Sequence, residues 1–235
     1  MMFAELADLL KFTPTASTMA EYWAAIVDDN LLGKRTLATR KLTFQRLSEL
    51  YGLNPAVPVF RVMRQLWDAD RAGRPMLAFL VAIARDPLLR MTTDTVLMAP
   101  VGRPVPTREL DDALEQRLGK RLSPAVRHKV ARNAASSWTQ SGHLQGRTAK
   151  RRVNPAASPA AACMALVLGY ATGLRGRSLF TSDWARVVDA SYSELHRLVQ
   201  AANRAGLLNY RQVGDVIELQ LPTLIRPYEE KLCHG

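Results

Sequence analysis

The chain has 235 residues, 48% hydrophobic and 23% charged, which is the balance of a folded protein and excludes a disordered tail. Its net charge of +11 is not spread evenly. Between Glu115 and Asp183, 67 residues hold twelve Lys or Arg and no acid, while elsewhere 20 Lys/Arg and 21 Asp/Glu nearly cancel. Charge concentrated in this way faces a polyanion, nucleic acid first of all.

The periodicity predicts helices through most of the chain. Ser17 can cap a helix over Met19 to Asp29, with Tyr22, Trp23, Ile26 and Val27 on one face. Asn30 to Arg35 is a turn. Thr36 can cap the next helix, where Leu37, Phe44, Leu47 and Tyr51 share a face. Gly52 and Pro55 end it, and a further helix carries Val59, Val62, Met63 and Leu66. Met76 to Ala84 reads as a short buried helix. Thr92 to Pro106, with three prolines and Gly102, reads as a loop and the boundary between a 1–95 and a 107–235 domain. Thr107 is expected to cap a helix through Leu118, with acids first and bases last, as the helix dipole prefers. Ser123-Pro124 opens another helix to about Thr139. Gly142 to Pro159 reads as an exposed basic loop, and Ala160 to Leu174 as buried helix. Ser182 and Ser191 can each cap a helix, followed by strands at Leu207–Arg211 and Val216–Leu221. The expected fold is mainly α, with a helix-turn-helix-like N-terminal unit. A winged-helix-like unit with a small hairpin is expected at 179–222.

Three basic clusters are candidates for phosphate contact. The first is on the N-terminal helical pair: Lys34, Arg35, Lys41 and Arg46. Asp28 and Asp29 argue there for local ion pairing, and a basic helical hairpin is the competing reading. Arg40 projects with Phe44 and Leu47, so it must pair or snorkel. The second lies in the acid-free stretch: Lys120, Arg121, Lys129 and Arg132, then Arg147, Lys150, Arg151 and Arg152 from the loop. Cations without competing carboxylates are what phosphate binding needs. The third is the polar face of the helix after Ser191, with His196, Arg197, Gln200 and Arg204. Such side chains reach base edges or phosphates from a major groove, or serve as a solvated face for partner contacts. The wing would be Arg211–Asp215, weakened as a phosphate grip by Asp215 and Glu218.

Catalysis finds little support. His128, His143, His196 and His234 are scattered, and no phosphate-loop, dinucleotide or nucleophile-elbow motif is present. Asp111, Asp112 and Glu115 are explained by the start of a helix rather than by a metal. No cofactor and no small-molecule substrate is indicated. Cys163 and Cys233 have no metal or redox spacing, and no signal peptide is evident, so a cytoplasmic setting is expected. The uncharged run ending at Leu174 leaves roughly 15 apolar residues where a membrane span needs about 20, so no membrane partner is expected.

The turn Asn30-Leu31-Leu32-Gly33-Lys34-Arg35-Thr36, followed by Ala38-Thr39-Arg40 and Arg46-Leu47, resembles the N-terminal signature of the BrxA family. Phe180-Thr181, Trp184 and Leu195 to Leu208 are similar to that family's C-terminal part. BrxA proteins are small, non-enzymatic members of BREX phage-defence systems, once described as inner-membrane proteins. The resemblance implies an all-helical binder of double-stranded DNA acting beside other defence-system proteins. Thr36 stands where serine is commoner in the family, a harmless exchange for a cap. The alternatives are an RNA-binding helical factor and a protein-interaction adaptor with a basic surface.

Overall fold

A computed structural model of the protein describes residues 1–214 and 216–221, which leaves Asp215, Cys233 and His234 outside the described residues. The fold is mainly helical, with a small antiparallel hairpin near its C-terminal end. An element not anticipated comes first. Helix α1 (Phe3–Phe12) buries Leu6, Leu9 and Leu10, the i, i+3, i+4 pattern of one helical face.

Helix α2 (Met19–Trp23) is capped by Thr18 rather than Ser17. The Thr18 hydroxyl accepts from the Glu21 amide, while the Glu21 carboxylate accepts from the Thr18 amide. The helix then widens into a π-turn over Ala24–Asp28. Helix α3 (Leu37–Tyr51) starts on the predicted Thr36 cap and stops at Gly52, whose φ of 96° few side chains would tolerate. Arg40 does pair: its guanidinium donates to the Lys34 and Val27 carbonyls.

Helices α4 (Pro58–Trp67) and α5 (Arg74–Arg85) follow. Every residue of α5 from Met76 to Ile83 is buried, because α3, α4, α9 and α10 all pack around it. Short helices α6 (Pro87–Arg90) and α7 (Thr93–Leu97) come next, the second lying within the stretch expected to be loop. Helix α8 (Thr107–Leu118) pairs with α9 (Pro124–Gln140), which begins at the predicted Ser123 cap; α8 itself has no side-chain cap. Helix α10 (Pro159–Ala171) is buried from Ala160 to Gly169, and burial pushes its Cys163 thiol up to about 12, making it inert. Among the described residues no helix is long and apolar enough to cross a membrane. Helices α11 (Asp183–Val188) and α12 (Tyr192–Arg204) rest on α10 and start at the predicted caps Ser182 and Ser191.

Two pairs of strands complete the fold. Strands β1 (Leu144–Gln145) and β2 (Arg151–Arg152) form a minimal hairpin inside the segment expected to be a plain loop. Strands β3 (Asn209–Val213) and β4 (Val216–Gln220) pair antiparallel after α12, giving the helix, helix, hairpin order expected there.

His143, one residue before β1, is buried against the rings of Trp138 and Phe79. Its Nε2 lies 2.9 Å from the Val187 carbonyl, which can only accept, so Nε2 carries the proton. Nδ1 is then unprotonated, 2.8 Å from the Ser141 hydroxyl, whose one proton is shared between Nδ1 and the Trp138 carbonyl at 2.9 Å. Desolvation drives the imidazole down from 6.5 to about 3. A lowered value means the fold holds the neutral ring. The stability this gives is complete above pH 6.5 and is lost as the pH falls from there towards 3. One unmatched proton across that window amounts to about 2 kcal/mol between pH 7 and pH 5. Urea melts at the two pH values should show this loss, and a His143→Gln variant should lack that part of it.

Candidate nucleic-acid interface

Helix α9 carries an exposed basic face. Ala131, Ala134, Ala135 and Trp138 turn inward, and the Trp138 indole donates to Thr92 Oγ1 at 2.8 Å, which fixes the rotation of the helix. Lys129, Arg132, Asn133 and Ser136 are therefore exposed. Lys120 and Arg121, in the 3₁₀ turn Gly119–Arg121, are exposed just before it. Among the described residues no carboxylate pairs with any of these four cations.

Arg127 lies on the same helix but points the other way. It is buried and forked onto Asp111 Oδ1 at 3.0 Å and Glu115 Oε1 at 2.8 Å. Those carboxylates are thus engaged by an arginine, and Asp112 faces Arg108 at 3.9 Å. Among the described residues no group of three His, Cys, Asp or Glu side chains could hold a metal ion.

The β1–β2 hairpin divides the loop cluster. Gly146 has φ 111°, and a Cβ there would lie 2.2 Å from the Ala149 carbonyl oxygen, so the tight turn requires glycine. Arg147 follows it at the exposed tip. Lys150 is half-buried and donates to Thr139 Oγ1 at 2.9 Å and the Gly146 carbonyl at 3.3 Å. Arg151 is exposed, with its guanidinium on the Gly102 carbonyl at 3.0 Å.

Arg152 is a correction. Side chains alternate along a strand, and Arg152 faces the same way as its buried partner Leu144, while Arg151 pairs with the exposed Gln145. Only 2% of the Arg152 side chain is accessible, and Nη2 meets Asp189 Oδ2 at 2.5 Å. Three further donors reach the carbonyls of Val96, His143 and Val153. Buried, and with four of its five N–H groups engaged, the guanidinium is out of reach of a phosphate.

The N-terminal cluster divides similarly. Lys34 is a second correction: its ammonium pairs with Glu5 at 3.1 Å, both partly buried. Arg35, Lys41 and Arg46 are exposed. Arg46 of α3 and Lys129 of α9 line one cleft of about 900 Å³, so two clusters distant in sequence meet along its rim. Lys41 faces elsewhere, beside Leu42, Met19 and Trp23.

On α12, Leu195, Leu198, Val199 and Ala202 are buried, whereas Ser193, Arg197, Gln200 and Arg204 are exposed. Arg197 lies 3.6 Å from Glu194, one turn away in solvent. His196 is the third correction. Its ring stacks on Phe180 with centroids 4.0 Å apart and planes 9° apart, and Nδ1 lies 2.7 Å from the Tyr210 hydroxyl. The Tyr210 hydroxyl in turn donates to Gln212 Oε1 at 2.7 Å, so His196 ties α12 to the hairpin instead of facing a ligand. Desolvation and the nearby Arg177 both lower its pKa. Across the hairpin Arg211 is in register with Glu218, and the flanking Val213 and Val216 are exposed, so the described part of the wing offers no net charge.

Comparison with protein families, with characterised proteins and with solved structures found no match to this chain.

Proposed function

We propose that this protein binds double-stranded DNA, mainly through phosphates, without doing chemistry on it. The observation that carries this reading is the state of the exposed cations. Lys120, Arg121, Lys129, Arg132 and Arg147 are exposed, and none of them has an ion-pair partner among the described residues. An ordinary solvated face interleaves both signs, as Arg117, Arg186, Asp94 and Asp183 do here with pairs of 2.9–3.3 Å. Arg46 lines the cleft beside Lys129, although Glu5, Glu49 and Asp86 line it too, and Arg197, Gln200 and Arg204 supply a second polar face on α12. An α-helix fits the major groove and phosphate contacts set its register, so weak sequence preference is expected. The BrxA resemblance supports the same reading and suggests an accessory role in bacterial phage defence beside other defence-system proteins.

The test is a salt titration. Duplex DNA affinity should fall linearly with salt on logarithmic axes, with a slope of about −0.9 per phosphate contacted. Single-stranded RNA of equal length should compete poorly at matched salt, because among the described residues of α9 and the turn before it the cations have no exposed aromatic side chain beside them for base stacking. Tighter binding of the RNA would replace the DNA reading with an RNA one. No nucleic-acid binding at near-physiological salt would leave the adaptor.

A further inference from the structure

The outward stripe of α3 is unlike a groove-reading helix. Ala38, Lys41, Leu42, Gln45, Ser48 and Glu49 recur at helical spacing along one side of a groove, which Met19 and Trp23 of α2 complete. Met19 is 46% exposed, Trp23 37% and Leu42 43%, and Trp23 packs edge-on against Phe44 with centroids 5.0 Å apart. Large apolar side chains clustered in this way mark an interaction surface, and a partly exposed tryptophan is a common anchor of one.

The charges of the stripe say what covers it. Lys41 and Glu49 lie eight residues apart on one helix, about 12 Å along its axis, too far to pair with each other. Glu49 accepts a hydrogen bond from Gln45 at 2.9 Å, and neither residue has an ion-pair partner among the described residues. The remaining cation of the groove, Arg85, donates to the Ser48 and Glu49 carbonyls. A two-fold axis through Gln45 would lay a second α3 antiparallel on the first. Lys41 of each copy would then oppose Glu49 of the other, and Leu42 would meet the Ser48 turn beside Met19 and Trp23. A stripe that complements itself on reversal is what an isologous dimer needs.

We infer that this face is a self-association surface, and that two copies of the chain dimerise through antiparallel α3 helices. The contact is small and half polar, so it forms a weak dimer of the transient kind. It uses none of the cations on α9 or α12, and nuclease-treated protein separates it from the DNA reading even though Glu49 also lines the cleft of Arg46 and Lys129.

Sedimentation equilibrium of nuclease-treated protein over about 1–200 µM tests it, a range that suits a weak dimer. The parent should pass from monomer to dimer mass. Leu42→Glu should raise the dissociation constant at least about tenfold, and Lys41→Glu or Glu49→Lys alone should do the same by placing like charges opposite. The double variant Lys41→Glu/Glu49→Lys should return to within about threefold of the parent, because the reversed pairs complement again. These residues are exposed, and unchanged thermal melts would confirm that each variant folds. The inference is overturned by a parent that stays monomeric at the top of the range, by a dimer that Leu42→Glu leaves intact, or by a double variant no better than the singles.

Discussion

Replacing Arg152 with methionine is expected to cost about 3–5 kcal/mol of folding stability, measured by urea unfolding at pH 7. Methionine keeps most of the apolar stem but removes every donor. The Asp189 carboxylate, 22% exposed, then loses its ion pair, and the carbonyls of Val96, His143 and Val153 lose the same guanidinium. The Val96 and His143 carbonyls keep backbone N–H donors, so the main loss is at the Asp189 carboxylate and the Val153 carbonyl, and a buried acceptor without a partner costs its full desolvation. Three segments are released together: α7, the β1–β2 hairpin and the end of α11, where Asp189 sits in the left-handed region at φ 57°. Lysine should recover only part of the loss, since an ammonium cannot span the fork that a guanidinium fills. The neighbouring Arg151→Met is the control. That side chain is exposed and holds one carbonyl, so its change should stay within about 0.5 kcal/mol. Equal effects at the two positions would show that the burial of Arg152 has no energetic consequence.

The contrast between these adjacent arginines shows what a sequence conceals. The helices were legible because their signals are local and repeated. The caps at Thr36, Ser123, Ser182 and Ser191 are where the residue types demand, and the unbroken apolar run of α10 is core. Burial of Arg152 depends on a strand two residues long, too short to display a period of two. Its partner Asp189 lies 37 residues away, beyond any spacing rule. His196 fell on the polar side by helical periodicity, yet Phe180 and Tyr210 close over it from outside the helix. Arg127 is another such case: counted as part of an acid-free stretch, it is neutralised by Asp111 and Glu115 from just before it. The candidate site was therefore legible as a region of charge. Which cations face solvent was decided by contacts between distant segments.

With the buried and paired cations removed, the proposed DNA surface reduces to two faces that can be tested separately. Lys129→Glu/Arg132→Glu on α9 and Arg197→Glu/Arg204→Glu on α12 should each weaken duplex binding about ten- to a hundredfold at about 100 mM salt. Each reversal removes a phosphate contact and adds a repulsion. The loss should be similar for unrelated duplex sequences on α9 if its lysine and arginine contact phosphates alone. On α12 it should carry some sequence dependence, because Gln200 and Arg197 can reach base edges. Loss of two contacts should also flatten the salt dependence by about two units of slope. If both faces touch one duplex, the combined variant should lose roughly the sum of the two free energies, since the sites share no side-chain partner. Arg117→Gln is the control: this arginine is already paired with Asp94 at 2.9 Å, and its removal should leave the affinity unchanged. A combined variant that binds duplex DNA as tightly as the parent, with the parent's slope, would remove these two faces from the interface.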